Sequence, residues 1–209
     1  MFSGFPVSAL DFYEDLEADN SKAFWAAHKA VYDDCVRGPM LALLGELEDE
    51  FGPGKVFRPY RDVRFSKDKI PYKTHQGGYV ATGQGVGFYV EINAAGLRIA
   101  GGFYHGSSAQ LAAFRSAIDD ERRGTELDKI VRRMKRAGYE IGGEQLKTRP
   151  RGYSADHPRI ELLRHKALHA GRTDVSPPWL DSARTLDEVR SSWRAFRPLV
   201  QWLSSATAT

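Results

Sequence analysis

An α+β fold is what this sequence predicts, a single domain in which an antiparallel β-sheet meander packs against several helices. Three observations carry that reading. Apolar residues recur at helical spacing over roughly the first fifty positions and again from about residue 107 onward. Between those regions the period shortens to two, in runs rich in Val, Ile, Tyr and Phe separated by Gly-Gln-Gly and Ala-Ala-Gly. The chain has 209 residues, 42% of them hydrophobic, which is enough to bury one substantial core. No repeat, low-complexity tract or composition shift marks a linker, so one domain over 1–203 is expected, with 204–209 as a flexible C-terminal tail.

The elements follow in order. Ser8 with Asp11 three residues later, and the apolar Leu10, Tyr13 and Leu16, predict a helix over 8–17 capped by Ser8. Asp19-Asn20-Ser21 offers caps for a second helix, whose stripe Phe24, His28, Val31, Cys35 reads as core, flanked by Trp25, Tyr32 and Val36. His28 reads as a hydrogen-bonded packing histidine. Gly38-Pro39 is expected to interrupt that helix, and Met40, Leu43, Leu44 and Leu47 to resume it until Gly52-Pro53-Gly54. Strands are predicted at 77–82, 86–93 and 97–103. The run Gly83-Gln84-Gly85-Val86-Gly87 has strands on both sides, so it is a hairpin turn and not a nucleotide loop, which would need a helix directly after it.

Ser107 or Ser108 can cap a helix through Asp119, and another spans 126–136 with Leu127, Ile130, Val131 and Met134 inward and Lys129, Arg132, Arg133, Lys135 and Arg136 outward. Asp156 is placed to cap a helix starting at His157-Pro158 and carrying Ile160, Leu162 and Leu163. His165 and His169 have the i, i+4 spacing of a helical metal site, but no carboxylate of the HExxH kind lies between them and the helix is expected to have ended; no metal site is assigned. The last helix opens on a capping box, Thr185 to Glu188, and aligns Leu186, Val189, Trp193, Phe196, Val200 and Leu203, with a kink at Pro198.

Charge is ordinary overall and concentrated locally. Charged residues make up 27%, the net charge is +3, the pI is about 8.9 and the mean hydropathy is −0.46, short of the cationic character of dedicated nucleic-acid binders. There is no apolar run of membrane-spanning length, and the opening residues lack a basic region, so no targeting segment and a cytoplasmic location are expected. The single Cys35 excludes an internal disulfide. The stretch 57–75, by contrast, carries six basic side chains against two acidic ones and is net +4.

If 57–65 is extended, Arg58, Tyr60, Asp62 and Arg64 line one face, with Phe57, Val63 and Phe65 on the other beside Arg61. Two guanidiniums flanking a carboxylate make an anion-binding arrangement, since arginine's planar fork suits phosphate or carboxylate oxygens. Arg61, among apolar neighbours, needs a carboxylate partner or a bulge. Lys69, Tyr72 and Lys73 are further donors in the following loop. A short Ser66-x-x-Lys69 match to penicillin-recognising enzymes lacks the companion motifs. A second cationic segment adds Arg149, Arg151, Tyr153, Asp156 and His157, with the expected helix start as an extra source of donors. Asp62, or Asp156 with His157, would be the acid–base candidates.

These residues carry a resemblance. Arg58, Arg61, Asp62, Arg64 and Phe65, followed by Asp68, Lys69, Pro71, Tyr72 and Lys73, match the R-x-x-R-D-x-R-F and D-K-x-P-Y-K signature of the domain of unknown function 2461 family of bacterial proteins. The similarity extends to Phe2, Gly4, Phe5 and Pro6, to Asn20 and Trp25, and to the segment Pro150 to Pro158; Phe24-Trp25 departs from the family's more frequent Trp-Phe order. The resemblance implies a compact α+β fold and an unassigned function, and carries over no catalytic residue, cofactor or oligomeric state. From the residues themselves three readings stay open: binding of a small anionic ligand, phosphorylated or carboxylated, with or without catalysis; a nucleic-acid module using the same stretch with the Arg132 to Arg136 face; and an ion-pair network that only stabilises the fold. The first expects Arg61, Arg64, Lys69, Lys73, Arg151 and His157 on one concave surface.

Overall fold

The computed structural model describes residues 1–64 and 67–208. Helix α1 (Ser8–Ala18) buries Ala9, Phe12, Tyr13 and Leu16. Ser8 does not cap it: Val7 precedes the helix in helical conformation without a side-chain bond, and Pro6 O accepts from Ala9 N at 2.8 Å. Helix α2 (Lys22–Val31) is capped by Ser21, whose Oγ accepts from Phe24 N at 3.1 Å. Gly38-Pro39 does not interrupt the helix as predicted. A π-helical turn, Tyr32–Arg37, absorbs the proline: Gly38 N reaches back to Asp33 O, and Pro39 falls in the first turn of α3 (Gly38–Phe51), where a missing N–H leaves no bond unmade.

The buried stripe of this long helical unit is also one position over from the predicted one. Trp25, Tyr32, Val36 and Met40 are buried, whereas Phe24, His28, Val31 and Cys35 are half-buried beside them. The face chosen is the one that removes the larger rings from water. His28 is a packing histidine: its ring stacks on Phe24 at 4.0 Å and its Nδ1 donates to Phe24 O at 2.9 Å.

The strands are β1 (Gly54–Val56), β2 (His75–Gly83), β3 (Val86–Asn93), β4 (Gly96–Phe103), β5 (Glu140–Gly142) and β6 (Leu168–Val175), in the sheet order β1-β2-β3-β4-β6-β5. The central meander is the predicted one. β1 pairs antiparallel with β2 from Gly54↔Val80 to Val56↔Gly78, and β5 with β6 from Glu140↔Gly171 to Gly142↔His169. β1, β5 and β6 are not anticipated by the sequence: the first two are three residues long, and β6, Leu-His-Ala-Gly-Arg-Thr-Asp-Val, has no regular apolar alternation.

The chain resolves into two compact units. The first comprises Met1–Val80, Tyr89–Ile99 and Thr173–Ser191. Within it α3 lies on the sheet so closely that a Cβ on Gly78 would sit 2.9 Å from Met40 Sδ. The second comprises Ala81–Phe88, Ala100–Arg172 and the chain from Ser192 on. It contains α4 (Ser108–Asp119), opened by a complete capping box between Ser107 and Gln110, and α5 (Glu121–Arg136), which starts five residues earlier than predicted because Asp120 accepts from Arg123 N at 2.8 Å. α6 (Ile160–Leu163) is a single turn.

The last helix, α7 (Arg184–Thr207), contains Pro198 in its interior. Its Trp193 stacks on Phe88 at 5.3 Å, and Phe196 and Val200 pack against Gly101 in the second unit. The predicted capping box is replaced by a bond in the other direction, Thr185 Oγ1 donating to Trp179 O and Leu180 O at 2.9 and 3.0 Å. The helix runs through Thr207 with Ala206 and Thr207 buried, so residues 204–207 are helical where a frayed tail is expected. Among the described residues no helix is long and apolar enough to cross a membrane.

Candidate functional site: a cationic hairpin beside a polar sheet face

In the first unit the pairing of β1 and β2 continues beyond the strands. Phe57 N donates to Gly77 O, Lys73 N to Pro59 O and Arg61 N to Pro71 O at 2.8 to 2.9 Å, with an antiparallel bridge between Tyr60 and Tyr72. The stretch predicted to be extended is therefore extended through Arg61 and returns through a loop. Phe65 and Ser66, with the expectations attached to them, lie outside the described residues. Between the Phe57–Gly77 and Tyr60–Tyr72 pairs the returning arm holds two residues more than the outgoing one, a bulge that re-aims the side chains around Arg58 and Lys73.

The α1–α2 connection and the helices after it fix the base of this hairpin. Asn20 Nδ2 donates to Tyr72 O and Asn20 Oδ1 accepts from Tyr72 N, both at 3.1 Å, so one side chain satisfies the backbone as a neighbouring strand would. The Tyr72 ring stacks on Trp25 at 4.2 Å and 7°. Tyr32 Oη donates to Gln76 Oε1 at 2.6 Å, and Gln76 Nε2 donates to Phe57 O and Gly77 O. Burial pushes the Tyr32 phenol up to about 12, which keeps it a donor. Removing the clamp by Asn20→Ala is expected to cost about 2 kcal/mol, two net hydrogen bonds to backbone; urea titration checks it, and a loss no larger than that of a surface alanine change would refute it.

The charges sort into paired and unpaired. Arg64 Nε and Nη2 bond the two oxygens of Asp62 at 2.9 and 2.7 Å, the i, i+2 contact that alternation predicts. Arg61 has the carboxylate it requires in Asp68, at 2.6 Å. Hydrogen bonds from Arg64 hold the Asp62 carboxyl below the usual range, and bonds from Ile70 N and Arg61 do the same for Asp68. Lys69 Nζ donates to Val63 O at 2.9 Å. Arg58 and Lys73 are different: neither has a carboxylate partner among the described residues. The Lys73 ammonium lies 5.5 Å from the Phe57 ring centroid, and burial, then the Arg58 charge, draw its pKa below the usual lysine value.

Phe57 leads onto a half-buried face of the sheet. Its ring lies 6.1 Å from Tyr79 and 6.3 Å from Tyr89, and Gly77 makes room for them, since a Cβ there would stand 2.7 Å from Tyr89 Oη and 3.0 Å from Phe57. Tyr89, Glu91 and Asn93 alternate along β3 and so share that face, half-buried. Tyr89 Oη donates to Glu91 Oε2 at 2.5 Å, Asn93 Nδ2 to Glu91 Oε1 at 3.3 Å, and His75 Nε2 stands 3.8 Å from Glu91 Oε2. The sequence reading missed this Tyr–Glu–His group. A half-polar strand written Tyr-Val-Glu-Ile-Asn was its only signal.

The second cationic segment lies in the second unit and is built otherwise than predicted. Asp156 caps no helix: it is exposed, in a turn where its N–H bonds Ser154 Oγ, and helix α6 begins only at Ile160. A one-turn helix offers no anion site at its start, so that source of donors is withdrawn. His157 pairs not with Asp156 but with Asp119, Nε2 donating to Oδ1 at 3.1 Å, while its Nδ1 accepts from Arg159 N. Arg149 donates to Tyr153 O at 2.7 Å, the Tyr153 ring stands edge-on to His157, and Arg151 is exposed. Arg159, which the sequence reading passed over, is the busiest residue here. Its Nε donates to Ile118 O at 2.8 Å and its Nη2 to Asp119 O and Glu121 Oε2.

The basic residues of α5 are exposed as expected, with Arg132 paired to Asp128 at 2.8 Å and the flanking groove also lined by Glu121 and Glu126. His165 and His169 share no helix, since His169 is on β6. His165 is buried, its Nδ1 donating to Ala167 O at 2.8 Å and its Nε2 accepting from Gln145 at 2.9 Å. Burial holds its pKa below the usual value against the Ala167 bond and Glu161, with Lys135 and Arg164 adding to the drop. The unfolded imidazole therefore takes its proton first. Stability is full above the unperturbed value of about 6.5 and falls as pH drops below it, so the urea midpoint should decline from about pH 7 to about pH 5 more steeply for the native protein than for His165→Gln. Parallel profiles would refute this.

A helix-flanked antiparallel sheet with a cation-rich hairpin at its β1 edge defines an α+β protein whose candidate site is made of arginine, lysine and tyrosine. The chain belongs to the family of conserved hypothetical proteins called DUF2461, whose model matches residues 8–202. No curated protein matches it.

Proposed function

We propose that the protein binds a small anionic ligand, phosphorylated or carboxylated, at the base of the hairpin, with Arg58 and Lys73 as its cationic contacts. The observation that supports this reading is that pair: two neighbouring positive charges with no carboxylate partner among the described residues, where Arg61 and Arg64 each have one. Like charges repel, and a bound anion removes that cost. Arg58 supplies a planar fork for two oxygens, and Phe57, Tyr79 and Tyr89 supply apolar surface of the kind small-molecule sites use. In this reading Arg61, Asp62, Arg64 and Lys69 shape the loop, and Tyr72 seats the hairpin on Trp25.

The test is a thermal-shift screen of phosphorylated and carboxylated metabolites against the native protein, Arg58→Ala and Arg64→Ala. Stabilisation is expected for the native protein and Arg64→Ala, with binding at least about tenfold weaker in Arg58→Ala, the loss of a charge-assisted hydrogen bond of roughly 1.5–3 kcal/mol. Equal responses from the native protein and Arg58→Ala would sink the proposal. Nucleic acid, the other partner the charge admits, would show itself by affinity that falls steeply with salt.

A further inference from the structure

We propose that the groove between the start of α1 and the turn at 176–181 is a docking site for a basic segment of a partner protein, which seats one apolar side chain in the groove between flanking lysines or arginines. The groove, which lies within the first unit, holds about 370 Å³. Buried Phe5 and Leu180 and half-buried Leu10 line it together with exposed Pro178 and Val7, and Val7 leaves 61% of its surface in water. That volume is at the low end for a small-molecule pocket and suits an inserted side chain better than a cofactor.

The rim is acidic. Asp11, Glu14 and Asp181 stand on it, exposed, and none of the three has an ion-pair partner among the described residues. The two stretches that build the groove carry one sign only: residues 1–20 hold five carboxylates and 173–183 hold two, with no lysine or arginine in either, in a chain whose net charge is +3. Helix stability alone does not account for this face. Asp11 complements the positive start of α1, but Glu14 and Asp15 follow it at i+3 and i+4, Glu17 sits at the negative end, and no basic residue lies in the last turn. Like charges at those spacings weaken a helix, and a cationic partner removes that cost. An acidic rim repels nucleic acid and anionic lipid alike, so the apolar groove is matched to a basic polypeptide.

Backbone contacts preform the walls. Phe5 N donates to Leu180 O at 2.8 Å and Leu180 N to Pro177 O at 3.0 Å. Gly4, at a φ of +117°, brings its segment so near the turn that a Cβ there would lie 2.2 Å from the Asp181 carbonyl carbon. Ser176, the one non-glycine residue at positive φ among the described residues, is held by its N–H to Ala95 O at 2.9 Å. A groove fixed in this way needs little ordering when it is filled, which favours binding.

The experiment is selection of random phage-displayed peptides on the immobilised full chain, followed by fluorescence anisotropy of the selected peptides made synthetically. These should carry lysine or arginine on both sides of an aliphatic residue, and their affinity should fall with added salt. Binding should weaken at least about tenfold in Glu14→Lys, where like charges meet, and about tenfold in Val7→Ser, which removes the apolar contact. Both positions are exposed and serine suits the residue before a helix, so both variants should fold. Arg58→Ala should bind these peptides as the native protein does, so failure of anion binding and failure of this groove are separate results. Recovery of no binding peptide, of peptides without basic residues, or of peptides that bind Glu14→Lys or Val7→Ser as tightly as native overturns the proposal. So does full displacement by spermine at the peptide's own concentration, which would make the groove an amine pocket. A native dimer that Glu14→Lys dissociates in sedimentation velocity would make the occupant a second copy of this chain, and overturns it as well.

Discussion

Trp25→Ala should lower the unfolding free energy by about 3–5 kcal/mol, the range for truncating a buried tryptophan, and should abolish ligand-induced stabilisation as well. Trp25 is only 5% exposed and touches four aromatic neighbours, lying 4.2 Å from Tyr72, 4.8 Å from Tyr32, 5.9 Å from Phe12 and 6.0 Å from Tyr60. It is the floor on which the returning arm of the hairpin rests. β1 has three residues and little strand pairing of its own, so a cavity under Tyr72 frees the segment that carries Lys73. Trp25 Nε1 is buried without a hydrogen-bond partner among the described residues, so Trp25→Phe removes a costly donor along with some volume and should cost much less, about 1 kcal/mol. Urea titrations of the three proteins, compared at equal m value, decide the matter. A Trp25→Ala protein within about 1 kcal/mol of native would show that the hairpin stands without this stack.

The parts of the site that were legible in the sequence are those governed by near neighbours. Alternation put Asp62 and Arg64 on one side, and they pair. The cost of an unpaired charge among apolar residues required a partner for Arg61, and Asp68 is that partner, although the residues alone could not say which carboxylate it would be. Long-range choices were hidden. Asn20 and Tyr72 are 52 positions apart and Tyr32 and Gln76 are 44 apart, and nothing local in either sequence neighbourhood marks the other. Local rules also misled where two of them competed. Proline predicted an interruption after Arg37, but the helix had the alternative of one π-helical turn, which costs less than breaking a buried stripe. At Asp156-His157-Pro158 the pattern of a helix start was satisfied by a turn, because His157 finds a better partner in Asp119 on α4.

The second large effect is expected where α4 gives way to α5 with no loop between them. The last carbonyls of α4, Ile118 O and Asp119 O, meet the start of α5, and the Arg159 guanidinium, its side chain 9% exposed, bonds both. Arg159→Ala leaves those acceptors without a donor and should cost roughly 2–4 kcal/mol, at about 1–2 kcal/mol for each carbonyl. Gly124, one turn into α5, tests the same corner from the other side. A glycine-to-alanine change inside a helix ordinarily stabilises by about 1 kcal/mol through propensity alone. Here the added Cβ would lie 2.1 Å from Ile118 O and 2.4 Å from Arg159 Nε, and relieving that overlap means moving backbone, at about 1–3 kcal/mol or more. The sign should therefore reverse, and Gly124→Ala should be destabilising. Because both changes disturb the same carbonyl, their costs should not add: the double variant should be less destabilised than the sum of the singles, by about 0.5 kcal/mol or more. Thermal or urea unfolding of the two single variants and the double variant measures this cycle. A Gly124→Ala protein more stable than native would show that α5 does not approach the end of α4 as closely as Gly124 allows.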